Sequence, residues 1–127
     1  AENERMHLMI FIEIAKPNWF ERAIILFAQF VFWHFYFVLY VLFPKTAHRM
    51  VGYFEDQAVI SYTQYLEEID SGRVSNIPAP QIAMDYYTLK EDARLRDVVL
   101  AVRADEQGHA DVNHSMADTL THTKETK

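Results

Sequence analysis

The chain has 127 residues and is 50% hydrophobic, which suits one domain around one core. It contains no cysteine, so disulfide scaffolds, thiolate metal sites and cysteine nucleophiles are excluded. A formal charge of -6 argues against binding a nucleic-acid backbone, and only 3 Gly and 4 Pro favour a mostly helical chain.

Residues 1–16 read as a helix stopped by Pro17, because proline cannot continue the hydrogen-bond ladder. The sequence opens on Ala1 without a capping residue or a signal-peptide layout, and so reads as a fragment or a processed chain. Asn18 is a suitable N-cap for a second helix over 19–43 that ends before Pro44. Its stretch AIILFAQFVFWHFYFVLYVLF has no formal charge, and only Gln29 and His34 are clearly polar. Three placements compete for it: across a membrane, in one leaflet, or buried at the centre of a bundle. A helix apolar on all sides is buried or faces lipid, and a chain this short has few helices to wrap it, so membrane contact is expected. The many aromatic rings favour the interfacial zone. His34 reads as a core or interface residue.

Thr46 could cap a third helix reaching about Asp70. The loop over 71–80 holds Ser71-Gly72 and Ile77-Pro78-Ala79-Pro80. A short helix follows over 81–89 and a long one over 95–120, leaving 121–127 as a polar tail. Residues 1–120 are expected to form a single domain.

The carboxylates fall on apolar stripes. In the third helix Val51, Phe54, Ala58, Val59, Tyr62, Leu66 and Ile69 recur at helical spacing, with Glu55 among them. In the last helix Leu95, Val98, Val99 and Val102 lead into Glu106, His109 and Asn113, then Met116 and Leu120. In the first, Glu4 and His7 share a face with Phe11 and Ile14. A buried carboxylate is costly unless it is paired or binds a metal. Glu-x-x-His occurs twice, at Glu4/His7 and Glu106/His109, and a spacing of three sends both side chains toward one centre. Ferritin-like di-metal bundles use this pattern, with a lone Glu from each of two further helices; Glu55 would be one of them. Either Glu-x-x-His alone is also compatible with surface chemistry. Oxygen-rich ligation with two imidazoles suits iron or manganese better than zinc.

The blocks AENERMHL (1–8), HRMVGYFEDQAVISYT (48–63), LEEID (66–70), IPAP (77–80) and VRADEQGHADVNH (102–114) together resemble the alternative oxidases, a family of non-electrogenic di-iron ubiquinol oxidases. The resemblance runs from residue 1 to about 120. It implies an all-α, ferritin-like di-iron four-helix bundle with an added hydrophobic helix on the membrane surface, and one bundle helix lying upstream of Ala1. It implies two iron ions held by Glu4, His7, Glu55, Glu106 and His109, with a fourth glutamate on that upstream helix. Tyr62 matches the tyrosine beside the iron pair, taken as a redox participant. Asn3, Arg5, His48, Asp105 and Asn113 match positions that hydrogen-bond around the ligands. Ala58 and Ser61 match positions lining the quinol pocket, where Thr is usual in place of Ser61. Asp56-Gln57 replaces a Glu-Glu pair, Gln107-Gly108 replaces a bulkier pair, and Tyr87 stands where Trp is usual.

The implied reaction oxidises two ubiquinols and reduces dioxygen to water without proton pumping. The implied partners are ubiquinol, dioxygen, one leaflet of a membrane and a second copy of the chain; nucleic acid is not among them. The implied location is the mitochondrial inner membrane in a eukaryote, or the cell inner membrane in a bacterium. Two alternatives remain from the residues: a di-iron hydroxylase of quinone biosynthesis, and a non-catalytic, membrane-attached helical protein.

Overall fold

A computed structural model describes residues 2–125. Five helices follow in order: α1 (Glu2–Ala15), α2 (Trp19–Leu42), α3 (Pro44–Asp70), α4 (Gln81–Tyr87) and α5 (Leu95–Glu125). The all-helical expectation is met. The chain divides into two compact units. Unit 1 comprises Ala1–Pro17 with Ala58–Asp105; unit 2 comprises Asn18–Gln57 with Glu106–Lys127.

In unit 1, α1 closes on Lys16, whose φ of 47° turns the chain into Pro17. Ile10 is fully buried and packs with Ala79, Ala83, Ala93, Val98 and Val102. A second cluster joins Leu66 and Ile69 of α3 to Leu95 and Val99 of α5. Small alanines on one side and β-branched valines on the other let the helices and the 77–80 segment approach closely. That segment is tied down by the main chain: Ala79 N–H donates to Ala93 O at 2.9 Å, and Leu95 N–H donates to Ile77 O at 2.8 Å. Gly72, at φ 80°, makes the turn that follows α3, a conformation that favours glycine. The short helix α4 ends two residues earlier than expected, because Thr88 adopts the left-handed conformation.

In unit 2, Asn18 caps α2 as expected. Its side chain accepts from Glu21 N–H at 2.9 Å, and the Glu21 carboxylate accepts from Asn18 N–H at 2.8 Å. This reciprocal capping box satisfies two otherwise orphaned donors. No residue of α2 is buried, and His34 is exposed, its ring nitrogen Nδ1 bonded to Phe30 O of its own helix. The expected cap at Thr46 is displaced: α3 begins at Pro44, since proline suits the first turn of a helix, where its missing N–H is not needed. Phe54 and Met116 are exposed, unlike their stripe neighbours. Phe54 packs on Phe32 of α2 at 6.0 Å, and Ala117, adjacent to exposed Met116, is buried.

The helix α5 continues through residues 121–125 instead of ending at 120, because neither glycine nor proline interrupts it there. Residues 1, 126 and 127 lie outside the described residues, so the last two residues of the expected tail are not placed. Gly108 is exposed in α5 and would meet nothing within 4 Å if it carried a Cβ. Gly108→Ala is therefore expected to stabilise the protein by up to about 1 kcal/mol through helix propensity, read as a rise in the denaturation midpoint.

Candidate metal centre

Within unit 2, α3 supplies Glu55 and α5 supplies Glu106 and His109, the latter two one turn apart. One ligand atom from each lies within 4.8 Å of the others. Nδ1 of His109 is 4.0 Å from Oε1 of Glu55 and 4.0 Å from Oε2 of Glu106. Those separations are too long for hydrogen bonds. They suit atoms sharing one ion at metal–ligand distances of about 2.1 Å. Glu106 is 5% exposed, where an ionised carboxylate is costly unless paired or metal-bound. The donor set therefore fits iron: two carboxylates and an imidazole, on two helices that hold their backbones rigid.

An amide orders this group. Asn113 Nδ2 donates to Glu55 Oε2 at 3.2 Å and to His109 O at 3.0 Å. Its Oδ1 is thereby left to accept from His48 Nδ1 at 3.0 Å. The His48 ring in turn meets Tyr40 edge-on at 5.5 Å. The chain His48–Asn113–Glu55 holds one carboxylate oxygen and leaves the other toward His109.

Unit 1 carries the other Glu-x-x-His pair. His7 is 4% exposed. Its Nε2 lies 3.0 Å from Asp105 Oδ2 and 3.0 Å from Tyr87 Oη. Tyr87 donates its hydroxyl hydrogen to the same Asp105 oxygen at 2.6 Å. Both neighbours of Nε2 then offer lone pairs, so Nε2 bears the hydrogen and Nδ1 is the acceptor. A histidine held by a carboxylate in this way is oriented to ligate through its other nitrogen. Nδ1 is 3.8 Å from Glu4 Oε2. Asn3 Nδ2 bonds Asp105 at 2.9 Å and Tyr86 Oη at 2.8 Å. Burial raises the Asp105 pKa, but the bonds from Tyr87, Asn3 and His7 outweigh it and leave the carboxyl below its ordinary value.

The remaining expected residues are less central. Arg5 turns to solvent and pairs with Glu2 at 2.6 Å. Tyr62 is half-buried and stacks on Phe11 at 5.6 Å. Ala58 is half-buried and Ser61 exposed on α3. Sequence reasoning noted Tyr87 only as a departure. Its hydroxyl is a partner of His7 and Asp105, brought there by α4, and no spacing marks such a long-range contact. The indole of a Trp would also offer a donor at this position.

These helices present two Glu-x-x-His pairs and a further glutamate, making an all-helical chain with a candidate carboxylate–imidazole metal group. The profile of the family described as Alternative oxidase matches residues 1–118, and the chain belongs to that family. It is 60% identical over 118 residues to "Ubiquinol oxidase 2, mitochondrial" of Nicotiana tabacum, covering 93% of this chain and 40% of the relative. It is 57% identical over 120 residues to "Ubiquinol oxidase, mitochondrial" of Batrachochytrium dendrobatidis, covering 94% and 38%. It is 56% identical over 127 residues to "Ubiquinol oxidase 1a, mitochondrial" of Arabidopsis thaliana, covering 100% and 36%. The chain thus spans about two fifths of the length of the curated relatives it matches.

Proposed function

We propose that this chain forms the di-iron core of a ubiquinol:dioxygen oxidoreductase that works at a membrane surface without pumping protons. The observation that carries this reading is the Glu55–Glu106–His109 group, whose donor atoms are spaced for a shared ion, in a chain of this family. Within unit 1, Glu4 and His7 are taken as iron ligands because the resemblance implies them. The fourth glutamate that the resemblance implies is not among these residues. The names of the relatives favour the oxidase over a quinone-biosynthesis hydroxylase.

A bound iron pair would supply the redox chemistry, cycling electrons between quinol and dioxygen. The chain's own residues set the conditions. Asp105 and Tyr87 fix the His7 ring so that Nδ1 is presented. Asn113 fixes the Glu55 carboxylate. Tyr62, which stacks on Phe11, is assigned the role of giving and recovering an electron and a proton at its phenol oxygen, because the resemblance implies it. Ala58 and Ser61 line the quinol approach on the same helix. Two quinols lose four electrons and four protons, and one dioxygen becomes two waters, so the reaction balances without another reductant.

The second helix would be the membrane anchor. Its 24 residues are long and apolar enough to cross a membrane by length and composition, and Phe27, Phe30, Trp33, Phe37 and Val41 are all exposed. One narrow side, Phe32 and Tyr40, packs alongside Phe54 and His48 of α3. Those contacts run antiparallel, so Glu55 and Asp56 lie at the depth of the middle of α2. A spanning α2 would carry these charges into hydrocarbon, at about 2.5–3.5 kcal/mol each even on the mildest scale. Lying flat in one leaflet avoids that cost. A homodimer and a mitochondrial inner-membrane location complete the proposal, the latter supported by the relatives' names.

The direct test is ubiquinol-dependent, cyanide-insensitive oxygen uptake by membranes carrying this chain, in a host without its own quinol oxidases. Uptake together with copurified iron is expected. Iron-free protein without uptake would favour the non-catalytic alternative. For the anchor, Trp33→Lys with Phe37→Lys is expected to move the protein from the membrane to the soluble or aggregated fraction; unchanged flotation with liposomes would refute the flat placement.

A further inference from the structure

Beside the ligands, unit 2 holds a second polar cluster that the proposed reaction does not use. The ring of His114 on α5 lies directly over Gly52 of α3. A Cβ at Gly52 would fall 2.8–2.9 Å from three ring atoms, so only glycine admits the ring. Both ring nitrogens are engaged. Arg49 Nη1 donates to Nδ1 at 2.7 Å, and since arginine can only donate, Nδ1 accepts. Nε2–H therefore donates to Asp56 Oδ2, at 2.8 Å. Arg49 reaches on to Asp118, and Tyr53 meets the ring edge-on at 5.1 Å.

Arg49, Gly52 and Asp56 recur at helical spacing on one face of α3, as His114 and Asp118 do on α5. The cluster is a clasp between the two helices that carry Glu55 on one side and Glu106 and His109 on the other. Its members are the chain neighbours of the ligand shell: Asp56 follows Glu55, and His114 follows Asn113, the amide that bonds Glu55. We propose that the Arg49–His114–Asp56 clasp is a positioning device that sets the register of α3 against α5, and through it the placement of the Glu55 carboxylate. A slip of one residue moves a helix by about 1.5 Å, large against the 4.0 Å that separates Glu55 from His109. His114 and Arg49 are thus positioning residues; neither is among the proposed ligands.

This inference rests on Glu55 being a ligand, and the test separates the two. The full chain in detergent is titrated with cobalt(II), reading affinity and the visible absorption bands, which report ligand number and geometry. His114→Phe keeps an aromatic ring, slightly larger, and removes both hydrogen bonds. It is expected to weaken cobalt binding by about 10–100-fold, the usual effect of losing a supporting partner, and to alter the bands while helicity by circular dichroism is retained. His114→Gln, which can still accept and donate, is expected to restore most of the affinity. Should His114→Phe fail to fold, Arg49→Met removes the Nδ1 contact with less disturbance and is expected to act in the same direction. Wild-type affinity and bands in His114→Phe or Arg49→Met, with Glu55→Ala defective, would overturn the clasp. So would equal losses in His114→Phe and His114→Gln. Wild-type binding by Glu55→Ala would overturn the ligand assignment itself.

Discussion

Glu55→Ala is expected to abolish iron binding while leaving the helices intact. Glu55 is one of three groups whose donor atoms converge within unit 2, and alanine is a strong helix former, so α3 loses a ligand and little else. The affinity should fall by more than the roughly 10–100-fold typical of losing an outer partner. Glu106→Ala should do the same. Glu68→Ala is the matched control: its carboxylate is exposed and bonds Arg73 at 2.7 Å, so iron content should be unchanged. Metal analysis of the three purified variants decides the matter. Normal iron in Glu55→Ala would mean that the unit 2 cluster is not the centre.

The second large effect is on stability. Ile10 is fully buried against Ala79, Ala83, Val98 and Val102. Truncation to Ala leaves a void that those short side chains cannot fill. A loss of about 2–5 kcal/mol is expected, seen as a lower urea midpoint with an unchanged slope. Met9, the preceding residue, is 39% exposed, and Met9→Ala should change stability by less than about 0.5 kcal/mol. The contrast between adjacent positions tests the assigned face of α1 and not merely its hydrophobicity.

Much of this was legible from residues alone. Pro17, Asn18 and Pro44 mark helix boundaries by backbone chemistry that any context obeys. The Glu-x-x-His pairs and Glu55 stand out because charge on an apolar stripe demands a partner. The resemblance named Asn113 and Asp105 before any contact was visible. Other features were not legible, for identifiable reasons. Phe54 fits the apolar period of α3 but packs on Phe32, and periodicity cannot separate a core-facing side from one that meets a lipid-facing helix. Met116 fits the apolar period of α5 yet is exposed, while the adjacent Ala117 is buried, because close helix approach selects the smaller side chain. Tyr87 and the His114 clasp depend on contacts between residues distant in sequence, and Gly52 gains its meaning only when the ring above it is seen.

The sheath of exposed rings along α2 has a further physical result. Rings held at headgroup depth resist rising or sinking, yet nothing in them resists sliding. On the proposed placement, the protein is confined to a sheet and diffuses within it. Its encounters with a hydrophobic electron donor then depend on molecules per unit of membrane area. Diluting the donor with added lipid should slow turnover even when the donor's amount per volume of suspension is held constant.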